Sequence, residues 1–235
     1  MIQSKFAGIL FLIVVTGMGA SLHAKVTNSK QRYASMAPLR QYLIANPKTE
    51  IALARSAAPP AIANHAEVMV LTRTGYQVAV PGQNGFLCLV ERSWAKSTGS
   101  WDFWNPKMRS PNCFNAQAAA SFAPIYLLKT KWVLAGKTKP EIARALAAAF
   151  RQGRLPRLKP GAMCYMMSQQ QYLNDQARQW YPHLMFFEPL NMAHSWGANL
   201  PGSPVIAARD PEEKATIFMV KVSHWSNGHP GPAIH

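Results

Sequence analysis

Apolar and polar positions alternate most clearly in the middle of the chain. Residues 68–73, 76–80 and 86–91 are β-rich runs separated by Gly75 and by Pro81-Gly82-Gln83-Asn84-Gly85. The Asn-Gly end of that pentapeptide predicts a hairpin between the second and third runs. In the third run a period of two puts Phe86, Cys88 and Val90 on one face and Leu87 and Leu89 on the other. Both faces are apolar, which predicts a central strand covered on both sides.

Helical spacing appears before and after this block. Met36, Leu39 and Leu43, then Ile51, Leu53 and Ala54, predict two short helices broken at Asn46-Pro47, the second starting from Thr49 as its N-cap. Residues 94–115, dense in Trp, Asn and Pro, read as a long loop, and residues 116–135 read as helical with a fresh start at Pro124. Thr138 and Glu141 form a capping box with Pro140 in the first turn, and Ile142, Leu146 and Phe150 supply the apolar stripe up to Gly153. Residues 162–168, 183–187, 205–208 and 215–222 are further candidate strands, with 169–180 expected as a helix and the Gly/Pro-rich end from Asn227 as a loose tail. Strands and helices come in groups, so the expected fold is α+β: one domain over 25–226 with a mostly antiparallel sheet, and a flexible tail at 227–235.

The first residues carry an address. Lys5, the apolar run 6–15 and the small residues 16–20 have the layout of a secretory signal. The run is short of the ~20 residues that span a bilayer. Cleavage is expected after Ala24, or else after Ala20, leaving no transmembrane span in the mature chain and placing it in the periplasm or outside the cell. An uncleaved N-terminal anchor is the alternative.

Composition narrows the class. Hydrophobic residues at 49% exclude wholesale disorder, and three cysteines in 235 residues exclude a disulfide-scaffold miniprotein. A polytopic membrane protein is excluded because the N-terminal run alone approaches the necessary length. The formal charge is +15. Lys129, Lys131, Lys137, Lys139, Arg144, Arg151, Arg154, Arg157 and Lys159 accompany the single acid Glu141. That stretch is expected to form one surface face, either a solvated one or one that meets anionic envelope components. No aromatic residues are spaced for base stacking, so no specific nucleic-acid site is expected.

Motifs of known chemistry fail on inspection. Gly136-Lys137-Thr138 resembles the end of a phosphate loop, but Lys131 stands where the first glycine belongs. Ser93-Trp94-Ala95-Lys96 has the serine–lysine spacing of penicillin-recognising enzymes without their partner motifs. His183, among core elements, is a candidate general base with Glu91 or Glu188 as partner; Glu91 could equally pair with Arg73 on a neighbouring strand. Trp101, Trp104, Phe114 and His183 are candidate ligand-binding residues. No cofactor is expected; the one metal worth testing is copper(I), because Met163, Met166, Met167, Met185 and Met192 gather with His183 and His194 as soft donors. These features favour a non-catalytic ligand- or envelope-binding domain, with a hydrolase centred on His183 as the alternative.

Export makes one disulfide and one free thiol the expectation for three cysteines, and three pairings are open. Cys88–Cys113 is preferred, on the reasoning that a flexible loop carries Cys113 towards the strand of Cys88. Closing about 25 residues contributes about 3.5 kcal/mol in the chain-entropy picture. Cys164 is then a buried thiol.

Several strings resemble a family of exported bacterial proteins: Asn84-Gly85-Phe86-Leu87-Cys88-Leu89-Val90, Phe103-Trp104-Asn105-Pro106, Cys113-Phe114-Asn115, Pro160-Gly161-Ala162-Met163, His183-Leu184-Met185-Phe186-Phe187 and Trp196-Gly197-Ala198-Asn199-Leu200-Pro201-Gly202. The resemblance implies export and a single domain, and carries no activity, cofactor or site residue.

Overall fold

A computed structural model describes residues 33–234; the segment 1–24, expected to be a signal, lies outside the described residues. The described chain is a single α+β domain. Its strands are β1 (Glu67–Thr72), β2 (Gly75–Val80), β3 (Leu87–Glu91), β4 (Ser110–Phe114), β5 (Met163–Met166), β6 (His183–Pro189), β7 (Val205–Asp210) and β8 (Ala215–Lys221). They form one sheet in the order β2-β1-β3-β4-β5-β6-β8-β7. Among the described residues every pairing is antiparallel except β1 with β3. The α-helices are α1 (Pro47–Arg55), α2 (Pro60–Ala63), α3 (Ala116–Ser121), α4 (Ala123–Leu134) and α5 (Lys139–Arg151).

Asn84-Gly85 does not turn a hairpin. The tight turn follows β1, where Thr72 faces Gly75, while β3 pairs with the opposite edge of β1. The 81–86 connection therefore crosses the start of β1 and docks there through Glu67 N–H to Phe86 O (2.8 Å) and Gln83 N–H to His65 O (2.8 Å). Gly82 permits the crossing, since a Cβ there would stand 2.2 Å from the Glu67 nitrogen. A turn signal marks a change of direction but not which strand pairs next.

Four further expectations need correction. Asn46 itself caps α1, its side chain accepting from Lys48 N–H at 2.9 Å, and Pro47 is the first helical residue. The missing proline N–H costs nothing at that position. Residues 169–180 form turns and a bridge between Tyr172 and Arg109, with no helix. Residues 110–114 of the expected 94–115 loop form β4, every one buried. Past β8, His224 bridges Pro230 and Trp225 is buried, so this part of the Gly/Pro-rich end folds back on the domain.

The sheet is covered on both faces, as the doubly apolar β3 requires. On one side α1, α2 and the turn between them lay Ala54, Ala57, Ala58 and Ala63 over Val68, Cys88, Val90 and Cys113. On the other, α3, α4 and α5 cover Leu71, Leu87, Leu89, Phe114 and Phe187. Cys88 and Cys113 are directly opposed on β3 and β4 and form the disulfide beneath α1; Cys164 is free and buried. The preferred pairing is thus present for a different reason: strand register, not loop mobility, brings the two cysteines together.

Candidate functional site

The larger side chains of the α4 face do not close over the sheet completely. A cavity of 510 Å³ remains between β3–β8, the start of α4 and the loops after β3 and β5. Its walls are mainly Met108, Phe114, Phe122, Met166, Met185 and Phe187, with Trp180 and Ile217 completing them. Phe122 stacks on Phe187 at 3.8 Å and fixes α4 to β6. The period of two puts His183, Met185 and Phe187 on the cavity face of β6, and Leu184, Phe186 and Glu188 on the other.

Glu91 is the unusual wall residue. It ends β3 on the cavity face, is 9% exposed, and makes no hydrogen bond or ion pair among the described residues. Arg73, the partner considered for it, is exposed. Burial, reinforced by the Glu213 charge and opposed by Lys129, pushes the Glu91 carboxyl up to about 8. At neutral pH it is a neutral acid, able both to donate and to accept a hydrogen bond.

Two buried ion pairs surround it. Lys129, on α4, is fully buried and reaches Glu213 at 2.8 Å and the carbonyls of Lys96 (2.9 Å) and Ala95 (3.2 Å). It is therefore no part of the surface face expected for 129–159; the position falls on the inner side of α4. Burial pushes the Glu213 carboxyl up while the Lys129 ammonium pulls it back. The β7–β8 turn aims Glu213 inward, Asp210 accepting from its N–H at 3.0 Å and Thr98 holding neighbouring Glu212 through N–H (2.9 Å) and Oγ1 (2.7 Å). Behind β3, Arg92 is fully buried and bonds Glu50 at 2.8 Å and the Tyr42 carbonyl at 2.7 Å. Its backbone N–H donates to Tyr126 Oη at 2.7 Å, and Tyr126 lines the cavity.

His183 enters from the far side. Its Nδ1–H donates to Tyr181 O at 2.7 Å and Trp180 packs edge-on at 4.6 Å. Burial lowers its pKa to about 4, so the ring is neutral and Nε2 is an acceptor without a protein donor among the described residues. Glu91 and His183 share the cavity but do not meet. The strands β4 and β5 lie between them, three spacings of about 4.8 Å, on the order of 14 Å in all. Glu188 faces the other side of β6. The geometry thus brings together Glu91, Phe114 and His183, and excludes Glu188, Trp101 and Trp104. Trp101 lies against Tyr33, while Trp104 meets Phe103 edge-on at 4.6 Å and lines a different hollow together with Met36 and Lys139.

Of the soft donors, Met166 and Met185 line the cavity with His183, Met166 directly opposite it on β5; Met163, Met167, Met192 and His194 do not line it. No cluster of three His, Cys, Asp or Glu residues suited to a metal occurs among the described residues. Sequence reasoning missed Glu213, Lys129 and Trp180. Lys129 stands next to Thr130 and Lys131 in α4, and nothing local announces that it, unlike Lys131, turns inward to a partner 84 positions away.

No protein-family model matches this chain, and neither the curated proteins nor the solved structures contain a match to it.

Proposed function

We propose that this is an exported ligand-binding protein, whose α4-side cavity takes a small, largely apolar molecule bearing one hydrogen-bonding group. The observation that carries the reading is a 510 Å³ hollow, walled by methionine and aromatic side chains, with an unbonded neutral carboxyl at one end. That size lies within the range of small-molecule sites. An unpaired buried carboxyl costs free energy unless a partner arrives, and a bound ligand supplies one. Neutral His183 offers a second, acceptor-only contact at the opposite wall.

Hydrolysis at His183 receives less support, because no carboxylate among the described residues lies within hydrogen-bond reach of its ring and Glu188 faces away. Export rests on the layout of residues 1–24. The Cys88–Cys113 bridge suits an oxidising compartment, and no described helix is long and apolar enough to cross a membrane.

The test is titration with the neutral apolar fluorophore N-phenyl-1-naphthylamine, on the wild type and on Met185→Trp. Wild-type protein should enhance the emission, and the added indole should abolish it by filling the hollow. Failure of the wild type to bind, or binding that survives Met185→Trp, refutes the assignment.

A further inference from the structure

Behind Glu213, on the side away from the cavity, lies a second hollow of 620 Å³. It opens between the end of α5, the 153–158 segment that follows it, and the β7–β8 turn. Its floor is apolar: Ile125, Phe150, Leu155 and Leu158. Three cations line it. Arg151 is the last residue of α5, Arg157 follows the Gly153 cap, and Lys214 comes from the turn with its Nζ 4.9 Å from the Phe150 ring centroid.

All three are exposed, and none of their side chains makes a hydrogen bond or an ion pair with any described residue. The single acid in the lining, Glu213, is held by Lys129 at 2.8 Å. Lys214 adopts a left-handed backbone conformation, φ 54°, which a lysine rarely takes without support from its surroundings. The turn that turns Glu213 inward leaves Lys214 over the cleft.

An apolar floor edged by unpaired cations is complementary to a molecule with an anionic head and an apolar tail. We propose that this cleft binds a single anionic amphiphile, a long-chain phosphate or carboxylate. The head sits among Arg151, Arg157 and Lys214, and the first part of the tail lies on Phe150 and Leu158. A concave site lined by three cations takes one molecule, where a flat basic surface would take a bilayer. The site shares with the Glu91 cavity only the wall residue Glu213, and the proposal stands independently of the function proposed for that cavity.

Calorimetric titration with dodecyl phosphate below its micellar concentration tests the proposal, with dodecyl maltoside as the neutral counterpart. Two charge-matched triple variants are compared: Arg151→Gln/Arg157→Gln/Lys214→Gln in the cleft, and Lys131→Gln/Arg144→Gln/Lys159→Gln at exposed positions elsewhere. The wild type should prefer the phosphate by about tenfold or more, and the cleft triple should lose that preference while the other keeps it within about threefold. Equal weakening in both triples would reduce the effect to overall charge, and equal affinity for the neutral amphiphile would remove the role of the cations. Loss of binding in Met185→Trp would move the ligand to the Glu91 cavity. Binding to phosphatidylglycerol vesicles without binding of the monomer would make this a membrane surface. Any of these four results overturns the proposal.

Discussion

Each face of the sheet holds one satisfied buried ion pair, Arg92–Glu50 on the α1 side and Lys129–Glu213 on the α4 side, but two consecutive residues at the end of β3 part company. Arg92 points to the α1 side, where Glu50 and backbone carbonyls satisfy its guanidinium. Glu91 points to the α4 side and has no partner among the described residues. The first face is made of alanine, valine and a disulfide, small groups that let α1 approach the sheet closely. The second is made of methionine and aromatic rings, whose bulk holds α4 off the sheet and leaves a hollow. Satisfied charge over small residues is what structure needs. An unsatisfied neutral acid beside empty space is an arrangement that a ligand completes.

If this contrast is right, damage to the α1 face should cost stability, while changes on the α4 face should alter binding and pH response. The largest effect is expected from Arg92→Met, which leaves the Glu50 carboxylate buried without its partner. A loss of about 3–5 kcal/mol in urea unfolding is expected. A loss below about 1 kcal/mol would erase the distinction between the faces. Removing the bridge by Cys88→Ala with Cys113→Ala should cost about 3.5 kcal/mol through the entropy of the unfolded chain. Probe binding by the still-folded fraction should persist, because both sulfurs lie on the far side of the sheet.

Glu91→Gln has a signed pH dependence. The folded carboxyl titrates near 8, above its unfolded value of 4.5. Its proton stabilises the fold fully below pH 4.5, and that contribution is lost as pH rises through 8. The amide variant lacks this titration. It should match the wild type near pH 5 and exceed its melting temperature by several degrees at pH 9. Parallel curves from pH 5 to 9 would show that Glu91 is ionised or paired. The smallest stability change belongs to Met185→Trp, within about 1 kcal/mol, because the indole has a hollow to enter where a tight core would be overpacked. Its effect should appear in probe binding.

How much of this was legible beforehand differs element by element. The α5 capping box and stripe, the doubly apolar β3 and the strands at 183–187 and 215–222 could be read directly, because each depends on neighbours within a turn or two. β4 was hidden: Ser110-Pro111-Asn112-Cys113-Phe114 has loop composition, and burial between two strands overrides its local preference. Residues 169–180 failed in the other direction, helical in composition but drawn into turns by the bridge to Arg109.

The candidate site divides along the same line. Phe114, His183 and Glu91 could be named from their types and their places in predicted elements, and the cysteine pairing could be preferred. Alternation then decides that His183 faces the cavity and Glu188 does not, once the face of β6 is known. Which strand stands beside which was beyond local pattern, because β1 enters between β2 and β3 and no residue nearby encodes that neighbour. The distance between Glu91 and His183, the inward turn of Lys129 and its meeting with Glu213 all depend on that order. Sequence by itself determined the periodicities, the caps and the stock of chemical groups, because those arise from contacts a few residues apart. Tertiary structure alone decided which groups meet, which charge is satisfied and where a hollow remains, because these follow from the packing of segments far apart in the chain.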